Sequence, residues 1–192
     1  MSRKNKRTVK MLIALFITFG IFLTQKPETV KPVLQKAEQS QPGLYAVTDF
    51  TDGDTISVDM NGVDEKIRMI GVDTPETKDP RKEVQCYGKA ASAFTKTTIG
   101  DSKVRLEADP TNTNRDRYNR LLRYVYLPDG TLVNAEIIKQ GYGFAYTYFP
   151  FEKLEEFKGY QKQAEENNAG LWGECSIETL DNGQTRTTTE SN

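Results

Sequence analysis

A hairpin written into residues 55–72 constrains this chain more than any other feature. Ile56, Val58 and Met60 alternate with polar residues, Asn61-Gly62 follows, and a second apolar run occupies residues 66–72. A period of two is the pattern of a half-buried strand, and Asn-Gly accepts the positive φ of a tight hairpin turn. Residues 44–47 add a strand before this pair, and strand patterns return at residues 103–108 and 121–127, the latter closed by Pro128-Asp129-Gly130. The helical period predicts three helices. One spans residues 87–98, with Ala90, Ala91, Phe94 and Thr98 on its inner face and Gly100 as its stop. A short one covers residues 133–140 before Gly141, and the last covers residues 151–168, with Leu154, Phe157, Gln161 and Ala164 inward and Gly170 beyond. The prediction is a mainly β, α+β domain: a small closed barrel of five strands with three helices packed on it.

The ends differ from this middle. Arg3, Lys4, Lys6, Arg7 and Lys10 precede fourteen almost wholly apolar residues, 11–24. That order is the layout of an export signal, cleaved or kept as a membrane anchor, and the apolar run is shorter than the roughly twenty residues a span needs. Proline-punctuated residues 25–43 predict a linker, residues 44–175 the folded domain, and residues 176–192 a disordered tail too poor in apolar groups to fold.

Composition narrows the chemistry. The chain has 192 residues and a net charge of −1, and its first ten residues hold five basic side chains and no acidic one, leaving 21 basic against 27 acidic. A protein that coats nucleic acid shows the opposite balance, because phosphate neutralisation dominates such affinity. An acidic pocket that recruits a divalent cation fits better. Histidine is absent, which excludes an imidazole base, a serine–histidine pair and a histidine-based zinc site. Acid–base work is left to carboxylates, lysine, tyrosine or metal-bound water.

The candidate site lies along residues 52–76. Asp54 opens one strand and Asp73 closes another; if those strands are neighbours, both carboxylates stand at one rim and can share a hard cation. The same Asp-Gly is also ordinary turn chemistry. Arg68 sits among buried residue types in Lys-Ile-Arg-Met-Ile-Gly-Val, where an unpaired charge is costly. Counting by two puts Arg68 and Asp73 on opposite faces, so their convergence requires a bend near Gly71. Pro75 fixes the backbone before Glu76, a carboxylate that could act as a base. Asp116-Arg117-Tyr118-Asn119-Arg120 supplies positive charge for an anion.

Taken in order, Asp-Gly-Asp-Thr, Val-Asp-Thr-Pro-Glu, Tyr-Gly-x-x-Ala-Ser-x-Phe-Thr, Asp-x-Tyr-x-Arg, Val-Asn and Gly-Leu-Trp resemble the staphylococcal nuclease (thermonuclease) family over about residues 44 to 175. The resemblance implies an OB-fold barrel with three helices, a monomer that hydrolyses DNA and RNA with calcium and leaves 3′-phosphate ends. It implies that Asp54 and Asp73 bind the metal by carboxylate and Thr74 by its main-chain carbonyl. Glu76 would orient or deprotonate the attacking water, Arg68 and Arg120 would grip the scissile phosphate, and Tyr118 would bond a terminal phosphate. Lys82 and Arg117 would be outer electrostatic contacts, and Tyr146 and Tyr148 would flank a base. The chain departs from the pattern at Asn119, in place of a glycine, and in its two cysteines. Cys86 and Cys175 are expected to be bonded, for a stabilisation of about 4 to 5 kcal/mol, two free thiols being the alternative. A non-catalytic OB-fold binding module and an envelope protein that calcium merely stabilises are the rival functions. Binding without cleavage marks the first, and melting raised by calcium without digestion marks the second.

Overall fold

The structure, a computed structural model, describes residues 43–77, 84–180 and 184–188. The expected export segment and all of the linker before Gly43 lie outside the described residues. Among the described residues no helix is long and apolar enough to cross a membrane.

Five strands close into a barrel in the order β1 (Leu44–Asp52), β2 (Thr55–Met60), β3 (Val63–Met69), β6 (Leu121–Tyr126), β5 (Val104–Glu107). This is the OB-fold barrel expected from the sequence. The β2–β3 hairpin turns at Asn61 and Gly62, with φ of 58° and 85°. Strand β1 shifts register after Val47 and again after Phe50, and so curves enough to pair with β2 and with β5. Parallel pairing of β3 with β6 closes the cylinder. Its interior is filled by Ile56, Val58, Ile67, Leu106, Leu121 and Val125, all fully buried.

Two helix predictions hold closely. Helix α1 (Gly88–Ile99) ends at Gly100, and α2 (Val133–Lys139) ends before Gly141, both glycines at positive φ. Helix α3 (Leu154–Glu166) is shorter than expected but buries Phe157 and Ala164 from the predicted stripe. The inner face of α1 is rotated from the prediction: Gly88, Ala91, Thr95 and Ile99 are buried, and Ala90, Phe94 and Thr98 only partly. Thr95 explains the rotation, since its hydroxyl donates to the Gly53 carbonyl at 2.6 Å and turns a polar residue inward. Among the described residues four helices are present where three were expected, the fourth being the single turn α4 (Leu171–Glu174). Small strands outside the barrel were also not anticipated: β4 (Val72–Asp73) pairs with β7 (Phe144–Ala145).

The expected disulfide is present between Cys86 and Cys175. It bears on a correction. Residues 176–192 were expected to be a disordered tail, yet β8 (Ile177–Thr179) and β9 (Thr185–Thr187) form a hairpin. Composition gave no sign of this because the hairpin builds no core of its own. It is fastened at the disulfide, where Cys86 N–H donates to the Thr188 carbonyl at 2.8 Å and the Thr187 hydroxyl donates to the Cys86 carbonyl at 2.8 Å.

Asp109, 4% exposed, ties the barrel to the entry of α3. Its carboxylate accepts the Tyr124 hydroxyl, Thr111 N–H at 2.8 Å and Glu152 N–H at 2.7 Å. Burial pushes its pKa up, but these hydrogen bonds together outweigh burial and hold it below the usual carboxylate value. The folded value lies below the unfolded one of about 4, so the stabilisation is complete above that pH and is lost as pH falls through the folded value. Asp109→Asn is expected to cost about 1 to 3 kcal/mol at neutral pH and to flatten the acid dependence. Urea unfolding at pH 7, 4 and 3 measures both, and parallel curves for variant and wild type would refute the assignment.

Candidate active site

The site is built where β2, β3 and β6 meet at one rim. Asp54 stands in the turn before β2, and β2 pairs with β3 so that Thr55 lies opposite Arg68. The Asp54 carbonyl also accepts Met69 N–H at 2.9 Å, which locks the turn against the end of β3. Asp54 is 7% exposed, and both of its carboxylate oxygens accept hydrogen bonds. Oδ1 accepts the Thr55 hydroxyl at 2.9 Å, and Oδ2 accepts Thr74 N–H at 2.9 Å and the Thr74 hydroxyl at 3.1 Å.

Asp73 reaches the same rim through a bend. Strand β3 stops at Met69, Gly71 takes a φ of 73°, and β4 sets off toward β7 instead of continuing along the barrel. The turn breaks the period of two that would have kept Arg68 and Asp73 on opposite faces. One guanidinium nitrogen, Arg68 Nη2, now lies 3.2 Å from Asp54 Oδ2 and 3.0 Å from Asp73 Oδ1. The other, Nη1, donates to the Met69 and Val72 carbonyls at 3.0 and 2.6 Å, the two ends of the bend. Arg68 is thus the pin of the turn as well as a cation in the site.

Gly71 is required twice, by its positive φ and by space. A Cβ there would lie 2.7 Å from Phe151 and 2.9 Å from Phe157, both core rings. Gly71→Ala is expected to destabilise by roughly 2 to 5 kcal/mol, the left-handed backbone and the overpacking adding together. Thermal unfolding checks this, and a melting temperature within a degree of wild type would show that the bend tolerates a side chain.

Arg120 enters from the loop before β6. Its Nε and Nη2 both lie 2.7 Å from Asp116 Oδ2, and its Nη1 is 3.5 Å from the Thr55 hydroxyl. Asp116 shapes this loop further by accepting Tyr118 N–H and Arg120 N–H, each at 2.9 Å. Partial burial raises its pKa, but the hydrogen bonds and charge of Arg120 and the Tyr118 N–H overcome this and keep it below the usual value. It therefore remains the anionic clasp of Arg120 through neutral and mildly acid pH. Asn119 occupies the tight position with a φ of 64°, a conformation asparagine tolerates where glycine would be usual.

A continuous chain of contacts therefore joins the two arginines: Arg68 to Asp54, Asp54 to Thr55, Thr55 to Arg120. Arg68, Asp73, Arg117, Tyr118, Arg120 and Tyr146 line one open cleft of about 610 Å³. Arg117 donates to the Tyr118 hydroxyl at 2.7 Å, and both Arg117 and Arg120 stack over the exposed Tyr118 ring, at 4.8 and 5.4 Å. Tyr146 is fixed by its N–H to the Gly71 carbonyl at 2.9 Å, and its ring lies 5.1 Å from that of Tyr148. Burial, then the nearby Asp73 charge, pushes the Tyr146 hydroxyl pKa up, so it stays a protonated donor.

Glu76 is half-buried just beyond Thr74, its Oε1 accepting Thr77 N–H at 3.0 Å. It does not line the arginine cleft. Lys82 lies outside the described residues. Neither Asp116 nor Thr55 had an expected role. The structure makes Asp116 the holder of Arg120 and Thr55 the link between the arginines. The spacing of Asp116 to Arg120, four residues on a loop closed by a positive-φ asparagine, was the available signal.

A hard cation fits the chemistry of these donors. Among the described residues no three His, Cys, Asp or Glu side chains gather as a metal group, but two carboxylates already converge on one positive nitrogen. Such a cation would complete its shell with carbonyl oxygens and water, and Thr74 is held against Asp54 by two hydrogen bonds.

The fold and rim define an OB-fold protein with two arginines lining one cleft and two aspartates bonded to one of them. Residues 66–174 match the family described as staphylococcal nuclease homologue. Over 168 residues the chain is 36% identical to a thermonuclease of Staphylococcus intermedius, covering 87% of this chain and 98% of that one. It is 40% identical over 164 residues to a thermonuclease of Staphylococcus hyicus, covering 84% and 94%. It is also 39% identical over 130 residues to endonuclease YncB of Bacillus subtilis, covering 67% and 61%. The chain belongs to the staphylococcal nuclease family.

Proposed function

We propose that this protein is an exported, calcium-dependent nuclease that cleaves phosphodiester bonds of DNA and RNA and leaves 3′-phosphate ends. The observation that carries the reading is the Arg68–Asp54–Thr55–Arg120 contact chain, which sets two guanidiniums on one cleft beside two carboxylates. Membership of a family whose similar members are named thermonuclease and endonuclease supports it.

In this mechanism Arg68 and Arg120 hold the nonbridging oxygens of the scissile phosphate. In-line attack adds negative charge there, and guanidiniums positioned beforehand stabilise it where it develops. Arginine suits this task because its planar fork offers two parallel donors to phosphate. Asp116 keeps Arg120 oriented, so no free energy is spent ordering it at the moment of reaction. Glu76 accepts the proton of the attacking water. Tyr118 and Arg117 bind a flanking phosphate, with Lys82 as an outer cation, and Tyr146 and Tyr148 flank a base. Asp54, Asp73 and the Thr74 carbonyl would hold calcium, which supplies charge neutralisation and a more acidic water when bound. The leaving group is protonated by solvent, since a guanidinium hardly yields a proton in water.

Incubation of the protein with single-stranded DNA and with RNA, with and without calcium, followed by identification of the product ends, tests the proposal. Calcium-dependent fragments with 3′-phosphates are the expected result, and binding without cleavage would replace the enzyme with a binding module. The export part is tested separately by fractionation of cells producing the full chain. Protein confined to the cytoplasm would refute it.

A further inference from the structure

Glu76 is held at both of its backbone groups by a single residue, and that residue adjoins the disulfide. The Gln85 side-chain oxygen accepts Glu76 N–H at 2.7 Å, and Gln85 N–H donates to the Glu76 carbonyl at 3.1 Å. Gln85 sits immediately before Cys86, which is bonded to Cys175, receives the Thr187 hydroxyl at its carbonyl and donates its N–H to the Thr188 carbonyl. The Gln85 carbonyl also accepts Gly88 N–H at 3.0 Å, at the first turn of α1, and that turn packs directly on Glu76: a Cβ on Gly88 would meet the Glu76 carbonyl at 3.0 Å. On the other side the Thr77 hydroxyl donates to Asp52 at 2.6 Å, which ties the Glu76 segment to the end of β1 beside Asp54.

We propose that Gln85 is the positioning residue for Glu76, and that the carboxy-terminal hairpin holds Gln85 in place through Cys86. The proposal rests on Glu76 being the group that activates water. Its physical basis is the sensitivity of a proton-accepting carboxylate to small displacements. A loop residue in a β-to-helix connection has many conformations, and a hydrogen bond at each backbone group selects one of them. A carboxylate displaced by about an ångström costs on the order of 100-fold in rate. The hairpin then has a role that its sequence does not advertise: it anchors the main chain at Cys86, one residue from the side chain that grips Glu76.

The test is a set of steady-state measurements on the full-length protein. Gln85→Ala is expected to lower kcat by about 10- to 100-fold with KM within about twofold, because Gln85 does not line the cleft. Gln85→Glu keeps an acceptor for Glu76 N–H and is expected to recover most of that loss. In a Glu76→Gln background, Gln85→Ala is expected to lower kcat no further, since a residue acting through another is non-additive with it. Thr187→Ala, which leaves both glutamine and disulfide in place, is expected to lower kcat in the same direction by a smaller factor. Wild-type kcat in Gln85→Ala, or a full additional loss in the Glu76→Gln background, would overturn the proposal. Wild-type activity in Glu76→Gln alone would instead overturn the water-activating assignment, so the two failures are distinguishable. Circular dichroism melts on each variant separate loss of position from loss of fold. Should Gln85→Ala unfold, Thr187→Ala at wild-type kcat would serve as the overturning result.

Discussion

Arg120→Ala is expected to lower kcat for DNA hydrolysis by about 100- to 1,000-fold, the usual cost of removing one preorganised donor from a developing oxyanion. The fold should survive. Arg120 projects from a loop, and its anionic partner Asp116 retains the N–H groups of Tyr118 and Arg120 when the guanidinium is gone. Asp116→Asn is expected to have a smaller effect in the same direction, because it loosens Arg120 without removing it. Arg68 is a different case. Four acceptors converge on it: the Met69 and Val72 carbonyls and the Asp54 and Asp73 carboxylates. Arg68→Ala should therefore lose about 3 kcal/mol of stability as well as activity, and lysine cannot replace it, since one ammonium has only three donors. Steady-state kinetics with parallel melts resolve the two arginines. Near-normal digestion of plasmid by Arg120→Ala would remove the phosphate-gripping assignment.

Chelation with EDTA is expected to abolish hydrolysis, and excess calcium to restore it. Asp54→Asn and Asp73→Asn should each require far more calcium for half-maximal activity, because neutral amides are weaker ligands for a hard cation. Stability should behave otherwise. Both carboxylates are bonded by Arg68, and Asp54 also by Thr55 and Thr74, so chelation leaves neither charge unpaired. The melting temperature is accordingly expected to fall by only a few degrees on chelation, a loss of about 1 kcal/mol for a domain of this size. Activity that persists in EDTA would end the metal-dependent reading. A collapse of the fold in EDTA would assign the cation a structural role instead.

Much of this was legible in the sequence because it is local. Asn61-Gly62 fixed the β2–β3 hairpin through its own backbone preference, and Gly100 and Gly141 marked helix ends by the same rule. The rest depended on contacts between distant residues. Period-two counting separated Arg68 from Asp73, and nothing in that count reveals that Gly71 turns the chain onto β7. Asp116 looked like one more charge in a polar loop until its carboxylate was seen to hold Arg120.

The amino-acid order by itself determined the five barrel strands, the stops and the chemical inventory: two aspartates, two arginines, a glutamate and no histidine. Where those groups point was settled by the closed barrel, which brings Thr55 opposite Arg68 and lays β3 beside β6. The carboxy-terminal hairpin is the extreme instance. Strands β8 and β9 are too short and polar to order themselves, and they are fastened through a disulfide and hydrogen bonds to Cys86, 101 residues before Thr187. Local preference is a property of neighbours along the chain, whereas a site of converging charges exists only after the barrel has closed.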